Sequence, residues 1–483
     1  MRSKRFVKYQ LLNSDLQKKY IRIYEAACIG MTEMDNTKKD KRIYTMAEEK
    51  PAKAVVRMGI PVTMGMLFMV VYNLVDTYFV GLLHDDYQLA ATNLAYPIMM
   101  VTVAVAGIVG NGGASYIARC IGAGKKEEAE HTLTIGFELI VLGGIVIAVL
   151  GMIFLNPVVT LLGAKENTFE YTKQYCGVML LGSVLTMGNY AIGQLLRSEG
   201  STFYSMIGMI VGTVANMILD PLFIFTLGLQ IRGAAIATVL GNALGVAVFL
   251  WFYASGKTIL SPSPRFLRMD FRIIREIMWV GIPHTLEQFF TTAAMIVNNN
   301  LAAEYGALTV AAMGIANKIM SFGNYFYQGM AAGCQPLMGY NYGARNYDRM
   351  RKLIRSGVIV ISSIELVILA VYGIMAPALI GIFTQSPEVI AIGTRALRAF
   401  MLMLPFVGST SLVRNTFNAM GKPLYAFGIT IVRQLLLYIP FLLLFNRFWG
   451  FDGLIHAQPT EEFICMIFAL ILLFRRIGTM EQR

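Results

Sequence analysis

Acidic side chains lie within the long apolar runs of this sequence, where a charge is costly. In the amino-terminal half they are Asp76, in the stretch YNLVDTYFVG, and Asp220, in the stretch ANMILDPLFIF. Insertion scales give a cost of about 2.5–3.5 kcal/mol for a charge at the bilayer centre, so such residues are functional candidates by default. A carboxylate held out of water gains from binding a proton or a small cation, and ion exchange is the chemistry that these two residues suggest.

Helical spacing brings further polar groups to the depth of these acids. Asp76 stands eight residues before His84, and Asp220 eight residues before Gly228. Both therefore lie roughly 12 Å below the outer loops if their helices run outward. An amide and a phenol stand one helical turn earlier on the same faces, and two inward-running helices add a phenol and a hydroxyl. The predicted cation-coupling site comprises Asp76, Asp220, Asn216, Tyr72, Tyr175 and Thr238. The competing interpretation is a carboxylate wetted by an outer vestibule, with ordinary hydrogen bonds between helices.

The second half carries a different set of charges within its apolar runs. These are Glu287, Glu365, Lys318, Arg395, Arg398 and Arg433. Glu287 and Lys318 could neutralise each other as a structural ion pair. Alternatively, Glu287 could face a cavity and meet a cationic ligand. Glu287, Gln288 and Lys318 are therefore the candidates for the wall of a substrate cavity.

Composition restricts the class of protein. Of 483 residues, 56% are hydrophobic and 14% are charged, against roughly 25% charged in ordinary soluble domains. A soluble enzyme, a disordered chain and a disulfide scaffold are all disfavoured, and a multi-pass membrane protein fits. The net charge of +12 comes mostly from short loops between the apolar runs, so it indicates a membrane surface and no nucleic acid. The five cysteines form no Cys-x-x-Cys pair, and GIVGNGG lacks a P-loop lysine, so neither zinc nor ATP is indicated.

The charged residues must be positioned by membrane helices. Twelve apolar runs follow residue 53, each longer than the roughly 20 residues that a helix needs to cross hydrocarbon. They cover 55–83, 88–117, 132–156, 169–195, 203–228, 232–254, 273–302, 307–338, 353–380, 391–417, 424–448 and 453–474. Lysine and arginine concentrate in alternate loops, which predicts that those loops and both termini are cytoplasmic.

The two halves of the chain resemble each other. Gly59-Ile60-Pro61 recurs as Gly281-Ile282-Pro283, and Gly122-Ala123 recurs as Gly343-Ala344 at nearly the same offset along the chain. Gly200 and Pro221 have counterparts at Gly421 and Pro440. A duplicated unit with six helices gives parallel repeats, so the fold predicted is all-α and polytopic, with twelve transmembrane helices in two pseudo-symmetric six-helix lobes. The predicted divisions are a polar cytoplasmic extension over 1–52, lobes over 53–256 and 273–475, a cytoplasmic loop over 257–272 and a cytoplasmic tail over 476–483.

The extension before the first apolar run has no long apolar stretch and is not typical of a secretory signal. Residues 35–50 are highly charged and are expected to form a flexible lead. Met31, Met34 or Met46 could be the translation start in place of Met1.

Six phrases, taken in order, resemble the multidrug and toxic compound extrusion (MATE) transporters, and within them the MepA-like bacterial subgroup. They are GIPVTMGMLFMVVYNLVDTYFVG, IGAGKKEEAE, LLRSEGSTFY, GTVANMILDP, QPLMGYNYGA and NAMGKPLYA. The resemblance covers about residues 53–475 and implies a central cavity between two lobes. It puts the family's first-helix aspartate on Asp76 and its fifth-helix Asn-x-x-x-Asp pair on Asn216 and Asp220. Tyr72, Tyr175 and Thr238 fall on its other cation-site positions.

A second branch of that family carries carboxylates on helices seven and ten. Here the run 391–417 has none, and Glu287 is displaced from that branch's glutamate, so coupling in the first lobe is favoured. A sodium ion could then bind at Asp76, Asn216 and Asp220.

The resemblance implies an antiporter of the bacterial inner membrane rather than an enzyme. It would export small cationic or amphiphilic organic compounds in exchange for H⁺ or Na⁺, as a monomer and without a cofactor. Three alternatives are a lipid-linked oligosaccharide flippase of the same superfamily, a major-facilitator transporter and a polytopic membrane enzyme. The major-facilitator motif after the second helix is absent, and no nucleophile motif or metal-ligand spacing supports an enzyme.

Overall fold

Helices make up almost the whole structure, a computed structural model that describes residues 41–82 and 85–481. Within those ranges there is no β-strand. Among the residues that the structure describes, eight helices are long and apolar enough to cross a membrane, and a ninth span is formed if the bent pair Asn167–Leu181 and Ser183–Ser198 is taken as one. One of the eight, Pro423–Met480, turns sharply at Gly450, where φ is 57°, and so contributes two spans.

Two more long helices bring the described residues to the predicted twelve segments. They are Phe271–Ala303 and Ala307–Gly343, whose polar and small residues keep them outside the most apolar set. Both pack against helices of the first half of the chain. Protein contacts therefore shield part of their surface, which reduces the need for apolar side chains.

Six segments form the N lobe. Segment 1 is Pro51–Gly81, segment 2 is Asp86–Gly122 and segment 3 is Lys126–Ile153. Segment 4 consists of Glu166–Leu181 and Ser183–Ser198, segment 5 is Thr202–Pro221 with the π-helical turn Leu222–Thr226, and segment 6 is Gln230–Ala254. A short helix, Leu155–Leu161, joins segments 3 and 4.

Six equivalent segments form the C lobe. Segments 7, 8 and 9 are Phe271–Ala303, Ala307–Gly343 and Tyr347–Gly381. Segment 10 consists of Pro387–Phe400, the 3₁₀ turn Met401–Met403 and Leu404–Ala419. Segment 11 begins as Pro423–Ile431 and continues through the π-helix Val432–Tyr438 into Ile439–Glu481, whose part beyond Gly450 is segment 12. The breaks in segments 4 and 10 correspond. Segments 5 and 11 each contain a π-helical turn at a different position, since the first follows Pro221 and the second ends before its counterpart Pro440.

Several helices are longer than the apolar runs that predicted them. The run 88–117 ends at Gly122 in the structure, and the run 353–380 begins at Tyr347. A side chain caps the first turn of each helix: Asp85 accepts a hydrogen bond from the Tyr87 amide (3.0 Å), and Asn346 from the Arg349 amide (3.0 Å). Capping supplies partners for amides that the helix leaves free, so a helix continues beyond the apolar stretch.

The two lobes meet in a symmetric way. Segment 1 packs on segment 8, and segment 7 packs on segment 2, which is the same pairing seen from each lobe. A Cβ atom added to Gly122 would stand 1.9 Å from the Tyr340 carbonyl oxygen, and one added to Gly343 would stand 2.1 Å from the Arg119 carbonyl oxygen. Tyr340 follows Arg119 by the same offset that separates the two glycines. The duplicated halves therefore touch through equivalent backbone contacts.

These glycine contacts form a seam along one end of the molecule. Segments 1 and 7 begin at that end, and segments 2 and 8 finish there. Glycines at the seam let backbones approach more closely than any side chain would allow, as is common between membrane helices. The seam comprises Gly112 on Ile277, Gly281 on Ile108, Gly333 on Met58, Gly329 on Thr63, Gly122 on Tyr340 and Gly343 on Arg119.

The flexible lead expected over residues 35–50 is wrong for its described part, residues 41–50. Residues 41–47 form a helix, and the Met46 side chain is fully buried. The Asn341 amide (2.9 Å) and the Arg349 guanidinium (3.1 Å) donate to the Met46 carbonyl, while the Arg42 guanidinium donates to the Ser201 hydroxyl (2.8 Å). Asn341 and Arg349 belong to the C lobe and Ser201 to the N lobe, so this docked segment, residues 41–50, bridges the two. Residues 1–40, including Met1, Met31 and Met34, lie outside the described ranges.

Candidate functional site

Asp220 is buried in the N lobe without a compensating partner. Its side chain is fully inaccessible, and neither carboxylate oxygen has a hydrogen-bond partner. The π-helical turn Leu222–Thr226 follows it directly; such turns are rare and frequently mark functional sites. A buried, unpartnered carboxylate is costly as an anion, so Asp220 gains strongly from anything that neutralises its charge.

Asn216 lies one turn before Asp220 on segment 5 and reaches segment 6. Its side-chain nitrogen donates to the Thr238 hydroxyl at 3.2 Å, and that hydroxyl donates in turn to the Ala234 carbonyl at 3.0 Å. The Asn216 side-chain oxygen is buried and without a partner. This oxygen is therefore available beside the Asp220 carboxylate.

Segments 1 and 4 complete the cluster. Tyr72 interacts electrostatically with Asp76, Tyr175 and Asp220, and through its hydroxyl with Thr238. Tyr175 is buried and interacts with both aspartates, and Asp220 interacts with Asp76. The structure thus brings all six predicted residues into one part of the N lobe. The predicted depth of Asp76 is counted from His84, and His84 lies outside the described ranges.

The chemistry of this cluster follows from its donors. It offers carboxylate, amide and hydroxyl oxygens and no nitrogen or sulfur ligand. Oxygen donors suit hard cations such as Na⁺, and carboxylates equally suit a proton. Among the described residues there is no group of three or more His, Cys, Asp or Glu side chains that could hold a transition metal.

The predicted cavity residues of the second half are not gathered in the same way. Glu287 is buried and pairs with Arg414 of segment 10, with 2.9 Å between Arg414 Nη1 and Glu287 Oε2. The suggested ion pair with Lys318 is therefore wrong. Gln288 and Lys318 are both exposed on their helices. Arg414 neutralises Glu287, because its guanidinium provides the opposite charge that a buried carboxylate requires.

Sequence reasoning missed a larger ionic cluster in the C lobe. Arg433, in the π-helix of segment 11, forms ion pairs with Glu461 and Glu462 of segment 12. All three side chains are buried. The signal available was two adjacent glutamates within the last apolar run. Their partner could not be read from the sequence, since it lies on another helix.

Comparison with known proteins gives a family. The MatE family model matches residues 61–222 and 283–444. The chain is 27% identical over 436 residues to the multidrug export protein MepA of Staphylococcus haemolyticus, covering 90% of this chain and 96% of that protein.

Solved structures agree. An outward-facing multidrug resistance MATE transporter of the MOP superfamily superimposes with a TM-score of 0.86 at 27% identity, covering 91% of this chain and 98% of that one. A MOP superfamily transporter from Pyrococcus furiosus, described as having a binding pocket of reverse polarity, gives 0.85 at 28% identity, covering 91% and 99%. The family model matches both halves of the chain, and these structures share its helical architecture. The chain therefore belongs to the MatE family of multi-pass membrane transporters, with twelve helices in two lobes.

Proposed function

We propose that this chain is a multidrug efflux antiporter, which exports cationic or amphiphilic organic compounds in exchange for H⁺ or Na⁺. The observation that carries the proposal is Asp220, fully buried with two unpartnered oxygens, in a cluster with Asp76. The printed names of the relatives, which are multidrug export proteins, support the substrate class.

The cation acts by changing the energy of the N-lobe cluster. Two carboxylates within electrostatic range repel each other when both are charged, and a bound proton or Na⁺ removes that repulsion. Asn216 and Thr238 supply a neutral oxygen and a hydrogen-bond relay for either state. A ligand shifts a conformational equilibrium only by its difference in affinity between two states, and the changed charge of this cluster provides such a difference.

Alternating access then involves the seam between the lobes. We infer that lobes over 53–256 and 273–475 rock as units, joined by the loop 257–272. The distribution of basic loops predicts that both termini, and hence the seam, face the cytoplasm of a bacterial inner membrane. In that orientation the structure is closed to the cytoplasm, and the substrate would leave towards the opposite side. The transporter would work as a monomer, because each chain carries both lobes.

Transport in vesicles tests this proposal. Purified protein is reconstituted, and uptake of a fluorescent organic cation is measured under a proton gradient and, separately, a sodium gradient. Asp76→Asn and Asp220→Asn should each abolish gradient-driven transport, because an asparagine amide cannot bind and release a proton and carries no negative charge to attract Na⁺. Glu170→Gln, at an exposed glutamate of segment 4, is the matched control and should transport normally.

The result also identifies the coupling ion. Transport driven by one gradient and not the other assigns H⁺ or Na⁺. Normal transport by both aspartate variants would refute the assignment of the coupling site. Transport of anionic lipid-linked sugars with no transport of organic cations would favour a flippase.

A further inference from the structure

The interior of the C lobe holds a second ionisable centre. Arg433 Nε lies 3.6 Å from Glu461 Oε1, and Arg433 Nη2 contacts Glu462. The exposed fractions are 8% for Arg433, 1% for Glu461 and 0% for Glu462. The three groups therefore interact out of contact with solvent and lipid, where charges must be balanced locally.

The charges at this centre do not balance. Arg414 is already committed to Glu287, with further bonds to the hydroxyls of Thr430 (3.4 Å) and Ser411 (3.3 Å). Arg433 forms the ion pairs with both carboxylates, and Arg414 adds a longer-range electrostatic attraction to each. Apart from the contact with Arg433, neither oxygen of Glu462 has a hydrogen-bond partner. With both glutamates ionised, the centre would carry one uncompensated negative charge in a low-dielectric interior, which is unfavourable.

Other titratable side chains of the C lobe lie near this centre without restoring the charge balance. Tyr327 of segment 8 interacts with Arg433, Glu462, Arg414 and Glu365, and Tyr438 of segment 11 with Arg433 and both glutamates. Glu365 of segment 9 is fully buried with both oxygens unpartnered. As a carboxyl group it cannot supply the missing positive charge. Cys465 of segment 12 interacts with both glutamates, whereas His284 of segment 7 interacts with Glu287 and Arg414.

We propose that Glu461 and Glu462 form a second proton-binding site, which holds one proton between two adjacent carboxylates and exchanges it independently of Asp76 and Asp220. With one proton bound, the two carboxyl groups together carry a single negative charge, which the positive charge of Arg433 balances. A metal ion fits less well, because the guanidinium already occupies the space beside these oxygens and repels a second cation. The inference does not depend on the proposed transport function, since it concerns a different lobe.

The proposed proton site at Glu461 and Glu462 can be tested by infrared difference spectroscopy of the full chain in lipid. The measurement compares the carbonyl stretch of protonated carboxyl groups in acidic and in alkaline buffer. The Asp76→Asn/Asp220→Asn/Glu199→Gln/Glu365→Gln variant serves as background, so that these four carboxyl groups are silent. A titrating carboxyl band should persist in this background. Adding Glu461→Gln or Glu462→Gln should abolish it, because one carboxylate against Arg433 is already balanced and needs no proton.

Glu388→Gln is the matched control, since it removes an exposed carboxyl of the same lobe and should leave the titrating band in place. The proposal fails if the background variant shows no titrating band, or if the band survives both glutamate substitutions. It also fails if Glu388→Gln removes the band, or if sodium at constant pH removes it. Size-exclusion profiles establish that each variant is folded. Tyr327→Phe is a milder variant, which should shift the carboxyl band without abolishing it. Vesicle transport, measured separately, reports on the N-lobe proposal alone.

Discussion

Adding one methyl group at the seam should open it. Gly122→Ala would place a Cβ 1.9 Å from the Tyr340 carbonyl oxygen, whereas real Cβ atoms essentially never approach other atoms within 3.0 Å. The backbones of segments 2 and 8 must therefore separate by about 1.1 Å, the difference between these two distances. The obstructing atom is a backbone oxygen, so it cannot rotate away as a flexible side chain could.

The magnitude follows from the cost of overpacking. Inserting a methyl group into a closely packed contact costs typically about 1–3 kcal/mol. A penalty of that size on the closed state shifts its equilibrium with the open state by roughly 5- to 150-fold. Gly343→Ala, which would place a Cβ 2.1 Å from the Arg119 carbonyl oxygen, should give a similar shift because the contact is its symmetry equivalent.

A native cysteine provides the assay. Cys120 lies two residues before Gly122 and is buried, at 4% exposure. Its alkylation by a water-soluble maleimide, followed by peptide mass spectrometry, should accelerate by the same factor as the open population. Gly314→Ala is the control, because it lies on segment 8 like Gly343 and has no atom within 4 Å of the added Cβ. If Gly122→Ala and Gly343→Ala label no faster than Gly314→Ala, the seam is not a closed gate.

Three further outcomes are expected. Thr238→Val removes the acceptor of the Asn216 amide and should weaken coupling-ion affinity by roughly tenfold, for a lost hydrogen bond of about 1–1.5 kcal/mol; unchanged ion dependence of vesicle transport would contradict this. Arg42→Ala removes the bond to Ser201 and should speed protease cleavage in the docked segment, whereas Lys41→Ala, at an exposed residue, should not. Burial raises the pKa of Glu199, between segments 4 and 5, from 4.5 to about 7. Its contribution to stability is full below pH 4.5 and is lost as pH rises through about 7, so Tm should fall over this range and Glu199→Gln should flatten the fall.

Geometry along a single helix could be predicted well from residue spacing. Asp76, Tyr72, Asn216 and Asp220 were grouped by counting residues from the helix ends, and the structure brings them together with Tyr175 and Thr238. The count works because each residue advances a helix by about 1.5 Å, whatever surrounds it. The duplication was equally readable, because equivalent glycines recur at a nearly constant offset.

Ion pairing between helices could not be predicted in this way. The sequence offers Lys318 as a possible partner for Glu287, but the structure pairs Glu287 with Arg414, on a helix far along the chain. Glu461 and Glu462 were overlooked because Arg433 is on a different helix. The partner of a buried charge depends on the rotation of each helix and on which helices are neighbours, and neither quantity is encoded in the spacing along one segment.

By itself the sequence determined the helical class, the two six-helix halves and the spacing of the N-lobe acids along their helices. The length of an apolar run, the rise of a helix and the offset of a repeat can all be counted along the linear sequence. The tertiary structure decided the glycine seam, the docking of residues 41–50 across both lobes and the excess carboxylate beside Arg433. Those features arise where distant parts of the chain meet, and their energies depend on distances that exist only once the two lobes have packed.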